Sequence, residues 1–310
     1  MPLKTIKTDT PKTLTLEWIL PVKNYRLTLD KNHCVSCQIC ALACPKEAIK
    51  LEKQPKIQGG KAKKAKVDIN LAKCNFCGIC DISCPYGAMK VTLNGEHALS
   101  VVEKESFPQL IRDIQVNASK CSVDCVECEE VCPLDLIKVT RLTADGKVVQ
   151  DVSSLSKKRR KELHVKIDVE KESCPCCRVC ESKCPESVMH VRKFFHGKIA
   201  IRTEKCPDSC TDCLDVCPIT GALYFSDEEK KVHVKETFCV YCGACKIVCP
   251  VEEALELKRT RIIHTPVRSG AWNKALEKLA SSIEMTKELK AKGSRKVMES
   301  VEKRLGWKGA

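Results

Sequence analysis

A cysteine thiolate can ligate a soft metal, close a disulfide or attack an electrophile, and this chain spends its cysteines in one repeated pattern. Of 25 cysteines among 310 residues, 24 fall into six blocks, each closed by a proline. The first is Cys34, Cys37, Cys40 and Cys44 before Pro45, and the second is Cys74, Cys77, Cys80 and Cys84 before Pro85. The third is Cys121, Cys125, Cys128 and Cys132 before Pro133, and the fourth is Cys174, Cys177, Cys180 and Cys184 before Pro185. The fifth is Cys206, Cys210, Cys213 and Cys217 before Pro218, and the sixth is Cys239, Cys242, Cys245 and Cys249 before Pro250. Four blocks read C-x2-C-x2-C-x3-C-P, and the third and fifth have one extra residue in the first gap. Cys176 stands outside the pattern.

The spacing selects the chemistry. Three cysteines in one tight turn reach three irons of a cubane, and the fourth, pointing away, ligates the neighbouring cluster in two-cluster ferredoxins. The proline fixes φ and removes a donor where the chain leaves the turn. Zinc ribbons use two separated C-x2-C pairs with no third cysteine in step. Disulfides belong to oxidising compartments, and Met1–Thr10 reads as neither signal core nor twin-arginine address, so a reducing cytoplasm is expected. The blocks therefore predict six 4Fe–4S clusters, with these 24 cysteines as the iron ligands. Such clusters carry low-potential electrons.

Elements must hold these turns. Period-two alternation predicts short strands before the blocks (Tyr25–Leu29, Ala65–Ile69, Val165–Val169, Val232–Val234) and after them (Ala48–Leu51, Ala88–Val91, Val188–Val191, Ala222–Phe225). The fold class is α+β: tandem two-cluster ferredoxin modules of strands, cluster loops and short helices, with a C-terminal helical extension. The boundaries are an N-terminal docking arm at 1–24, a module at 25–94, a linker at 95–112, modules at 113–192 and 193–262, and a helical docking extension at 263–310. Tandem pairing puts Cys34, Cys37, Cys40 and Cys84 on one cluster, and Cys74, Cys77, Cys80 and Cys44 on the next. A nested pairing, fourth block with fifth inside third with sixth, is the rival. In either case the clusters are expected in a chain.

The rest of the sequence bounds the function. The formal net charge is +14. Six oxidised sites at −2 each bring it to about +2, so the lysine excess reads as counter-charge to buried anions, and nucleic-acid binding is not expected. No run reaches the ~20 apolar residues of a membrane span. There is no acid–base pair, activated nucleophile, phosphate loop or dinucleotide fingerprint, so no catalytic residue is assigned. Cys176 reads as a spectator thiol, with ligand substitution or S–H modulation as alternatives. His33 reads as a surface residue beside Cys34. The basic runs Lys56–Lys66 and Lys157–Lys161 read as solvated loops, or as docking points for an acidic electron carrier. Trp272, Leu276, Leu279 and Ile283 predict an amphipathic helix between Ser269 and Gly293, and Val297, Val301 and Leu305 a second one capped by Ser294. Both ends are expected to dock other subunits.

On these blocks the chain resembles archaeal polyferredoxins. The mixed C-x2-C and C-x3-C openings, with the tail Thr265-Pro-Val-Arg-Ser-Gly-Ala-Trp272, look like the polyferredoxin subunit of formylmethanofuran dehydrogenase, although members of that family carry eight clusters and this chain has six blocks. The resemblance implies a cytoplasmic complex of the methanogen type. There a tungsten or molybdenum subunit reduces carbon dioxide to formate, another attaches the formyl group to methanofuran, and the polyferredoxin supplies electrons. Service to a hydrogenase or heterodisulfide reductase, and a free-standing iron–sulfur carrier or iron store, are the other function classes.

Overall fold

The structure is a computed structural model, and it describes residues 4–56, 60–97, 99–149, 152, 155–251, 253–267, 271–280, 297, 298 and 300. Strands form where aliphatic and polar residues alternate, as in Asn24–Asp30, which buries Leu27 and Leu29 and exposes Arg26. The strand before the first block, Asn24–Asp30, runs antiparallel to Met89–Leu93 after the second, while Ile49–Glu52 pairs Lys66–Ile69 between them. The same crossed scheme recurs twice. Asp113–Val116 pairs Met189–Arg192 around Ile137–Leu142 with His164–Val169, the latter pair extended by Val148–Val149. Phe195–Ile201 pairs Leu255–Ile262 around Leu223–Ser226 with Lys231–Val234. Blocks are thus paired in tandem by their sheets, and the nested alternative is not the one the strands adopt.

Each block ends in a helix of four or five residues: Ile39–Ala43, Ile79–Ile82, Glu127–Glu130, Val179–Lys183, Asp212–Asp215 and Ala244–Val248. These helices stop at or just before the fourth cysteine, because a residue preceding proline is driven out of the helical region.

Three expectations about the connecting segments are revised. The described part of the expected N-terminal arm, from residue 4 on, is built into the first module: Lys4–Asp9 and Thr13–Ile19 complete a four-stranded sheet with Asn24–Asp30 and Met89–Leu93. The reason is alternation in Thr13–Ile19, which drives Leu14 and Leu16 out of water, while Trp18 rests on Phe76 with ring centroids 4.9 Å apart. Residues 95–112 are more than a linker. They contain a helix, Ser100–Glu103, and a buried Phe107 set edge-on to Trp272. Gln109 and Thr265 hold the linker to the tail: the Gln109 N–H donates to the Thr265 hydroxyl, and the Thr265 N–H to the Gln109 carbonyl. The helix Ala271–Leu279 then buries Trp272, Leu276 and Leu279 and packs on Ile39–Ala43 of the first module. Its apolar stripe is therefore spent on this chain rather than presented to another. Ser269, Ile283, Gly293 and most of the second predicted helix lie outside the described residues.

Close approach also ties the first two modules together. Gly87, at φ +62°, has no side chain because a Cβ there would stand 3.0 Å from the Ser173 backbone. Replacing the fully buried Leu16 by alanine is expected to cost about 2–5 kcal/mol. The check is a lower urea midpoint for bleaching of the iron–sulfur absorbance; an unchanged midpoint would mean that residues 1–24 are a free arm after all.

Candidate metal centres

The cysteine turns are built from unusual backbone. In the four short-gap blocks, the residues on either side of the second cysteine both have positive φ: Ser36 and Gln38, Phe76 and Gly78, Cys176 and Arg178, Tyr241 and Gly243. Such turns aim successive N–H groups into one concavity, which suits an anion. Non-glycine residues persist there only because the surroundings over-determine them. Three residues after the fourth cysteine, Glu47, Gly87, Asp135 and Ser187 take the same conformation. The next N–H then reaches back: Ala48 to Cys44 Sγ at 3.4 Å, and Ala88 to Cys84, Leu136 to Cys132 and Val188 to Cys184 at 3.3 Å. Ser36 and Tyr241 donate likewise to Cys34 and Cys239. These donors stabilise the thiolate form.

The 24 block cysteines gather into six sets of four, each named here for the block that gives three of them. Cys84 joins Cys34, Cys37 and Cys40, and Cys44 joins Cys74, Cys77 and Cys80. Cys184 joins Cys121, Cys125 and Cys128, and Cys132 joins Cys174, Cys177 and Cys180. Cys249 joins Cys206, Cys210 and Cys213, and Cys217 joins Cys239, Cys242 and Cys245. The fourth cysteine always crosses to the other half of its module.

The sets fit a cluster. The first, fourth and sixth sets each line an apolar cavity, so the four sulfurs of each face one enclosed space. Among the described residues no three His, Cys, Asp or Glu side chains close on one metal ion. Burial, with neighbouring thiolates second, pushes Cys128 up to about 11 and Cys180 and Cys213 up to about 12. Thiols so raised do not ionise at neutral pH unless a cationic core offsets the cost. A 4Fe–4S core bound there supplies that charge and a one-electron couple.

Cys176 has a local role. It is fully buried, occupies the turn position held by Ser36, Phe76 and Tyr241, and its Sγ lies 3.9 Å from the Cys174 carbonyl oxygen. Its S–H stabilises the Cys174 thiolate, which is held down to about 7, while Cys176 itself is pushed far above the thiol range.

The sets do not lie in a line. Cys37 of the first set faces Cys242 of the sixth, and Tyr86 lines both of their cavities. Arg112 donates to the carbonyls of Cys84 in the first set and Cys174 in the fourth. Lys193 donates to the Cys239 carbonyl of the sixth set, and its charge also acts on Cys177 of the fourth. The first, fourth and sixth sets thus close a triangle where the three modules meet, and the second, third and fifth lie one step outward within their own modules. The expected chain is a hub with three arms, because linker and tail fold the modules against one another.

Two surface expectations also change. Lys56 pairs with Asp212, and the Ala62 N–H donates to Asp215, so the first basic run docks on the third module. Arg160 of the second run approaches Asp124 at 3.6 Å. His33 pairs with Asp30 and is exposed. Arg112, Lys193 and Arg259 were not legible as site residues, since no motif contains them.

Residues 33–88 and 205–252 match the 4Fe–4S dicluster domain family. An aliphatic sulfonate oxidoreductase, polyferredoxin-like subunit, of Pyrococcus furiosus is 34% identical over 90 residues, covering 26% of this chain. The chain spans about half the length of that curated relative. A chain in the formate dehydrogenase–heterodisulfide reductase–formylmethanofuran dehydrogenase complex from Methanospirillum hungatei superposes with a TM-score of 0.75 and 29% identity, over 91% of this chain and 92% of that one. The chain thus contains two stretches of 4Fe–4S dicluster type within an α+β fold of ferredoxin-like modules. Among the described residues no helix is long and apolar enough to cross a membrane.

Substituting Cys44 by serine is expected to abolish the cluster of the second set and spare that of the first, with loss of about four irons per chain. Iron assay and electron paramagnetic resonance spin counting read it. Cys176→Ala should leave the iron count unchanged; a loss of irons would make Cys176 a ligand.

Proposed function

We propose that the chain is an electron-conducting subunit that binds six 4Fe–4S clusters through the 24 block cysteines and feeds low-potential electrons to the carbon-dioxide-reducing subunits of a formylmethanofuran dehydrogenase complex. The observation that carries the conducting role is the contact of the first, fourth and sixth cysteine sets, with Cys37 against Cys242 and Tyr86 between two cavities. It gives electrons a continuous route from any outer set to any other. The near full-length likeness to a chain of a complex containing formylmethanofuran dehydrogenase supports the partner. That complex also contains heterodisulfide reductase, so service to a heterodisulfide reductase is the second reading.

The third and fifth sets, with three half-buried cysteines each, are where electrons enter or leave, and the hub distributes them. In this reading the carbon chemistry belongs to the partner subunits. The N–H groups at the thiolates and the buried aliphatic walls tune the couples. A cytoplasmic location belongs to the same reading.

Purification of the native assembly separates the readings. A tungsten- or molybdenum-pterin subunit retained with the chain supports carbon dioxide reduction, flavin subunits alone support the heterodisulfide reductase reading, and an isolated chain defeats both. Anaerobically prepared protein should carry about 24 irons with matching sulfide; a zinc stoichiometry near one per block would end the iron–sulfur assignment.

A further inference from the structure

The three cations at the hub share a construction that no cysteine motif requires. Arg112 ends the segment between the first and second modules, and its Nε and Nη2 donate to the carbonyls of Cys174 and Cys84 at 3.1 and 2.8 Å. Lys193 joins the second and third modules and donates to the carbonyls of Glu236 and Cys239 at 2.7 and 2.6 Å. Arg259, 7% exposed, lies on the strand Leu255–Ile262 and donates to the carbonyls of Tyr241, Cys242 and Leu279. Its charge acts on Cys37 of the first set as well as on Cys242, Cys239 and Cys245 of the sixth. Each edge of the triangle therefore carries one cation. Arg112 rests on Phe194, Lys193 on Tyr241 and Arg259 on Phe195, and the two phenylalanines meet edge to face with centroids 4.8 Å apart.

The outer sets have carboxylates beside them: Asp81 acts on Cys80 of the second set and Glu186 on Cys121 of the third, while at the fifth Lys231 donates to the Cys206 carbonyl and acts on Cys206 together with Asp208. The cations near the fifth set are matched by acids, Lys231 by Asp208 and Lys56 by Asp212. At the hub the acids are Glu181, which follows Cys180 and is paired with Arg178, Glu172 toward Arg112 and Glu236 toward Cys239. Among the described residues none of these closes a salt bridge with any of the three cations, which are met by carbonyl oxygens instead.

We propose that Arg112, Lys193 and Arg259 are positioning residues that make the three hub clusters easier to reduce than the three outer ones, so that electrons entering by any arm pool at the hub. This rests on the reading that the sets hold clusters. The balance is one electron per cluster: a core and its four thiolates pass from −2 to −3, donor and acceptor clusters exchange that electron, and no bond forms or breaks. A fixed positive charge in a low-dielectric surrounding favours the more negative state, and a fixed carboxylate disfavours it. Arg259 acts on two clusters at once and is the most buried of the three, so its effect is the largest.

The test is a potentiometric titration of the full holoprotein followed by electron paramagnetic resonance, with iron content measured in parallel. Two groups of three couples are expected, the higher one belonging to the hub, where mutual spin coupling appears as reduction proceeds. Arg259→Gln should cut the reduced-to-oxidised ratio of the first and sixth clusters about tenfold at fixed poise, which is about 59 mV for a one-electron couple. It should leave the second, third and fifth unmoved, and Arg259→Lys should restore most of the shift. Should Arg259→Gln bind fewer irons, Lys193→Met reads the same effect at the fourth and sixth clusters. Six indistinguishable couples, or a shift shared by outer and hub clusters alike, would overturn the proposal. An iron count far from about 24 would instead remove the cluster reading beneath it.

Discussion

The crossing of the fourth cysteine into its neighbour's set is the constraint on which the structure depends. Because Cys84 faces Cys34, Cys37 and Cys40 while Cys44 faces Cys74, Cys77 and Cys80, neither half of a module can complete a site alone. The strands obey the same exchange, with Asn24–Asp30 bound to Met89–Leu93 across both blocks. Local turn and long-range pairing thus enforce each other, and a thin apolar core is enough because metal–thiolate bonds would supply much of the folding energy.

Grouping so many thiolates creates an electrostatic problem that the wider fold answers. Burial alone drives the thiols toward the neutral form, as at Cys180 and Cys213. Turn N–H groups, an S–H from Cys176 and three cations at the module joints act in the other direction. The basic excess of the sequence is partly this: the cations that matter most sit inside, between modules, while the conspicuous lysine run at 56–66 is tied to Asp212 and Asp215. A charge run seen in sequence says little about where its charge is spent.

The closed triangle also gives the segments outside the modules their meaning. Phe107, Thr265 and Trp272 bind linker to tail, and the helix Ala271–Leu279 brings the third module's end onto the first module's Ile39–Ala43. Without that closure the three modules would be a string, and Cys37 would have no reason to face Cys242.

Sequence alone determined the cysteine spacing, the short strands flanking the blocks, the stops at Cys-Pro and the iron–sulfur character of the dicluster stretches, because each of these is set by residues within a few positions of one another. It also carried the Trp272, Leu276, Leu279 stripe, though not the surface that stripe covers. It did not reveal the strands Lys4–Asp9 and Thr13–Ile19 as part of the first sheet, since pairing partners are chosen by which apolar faces meet. Nor did it reveal the hub, whose residues Arg112, Lys193, Phe194, Phe195 and Arg259 are separated by up to 147 positions and belong to no repeat. Only the tertiary structure decided that the six cysteine sets branch, because contact between modules depends on how linker and tail pack, and that packing has no local signature.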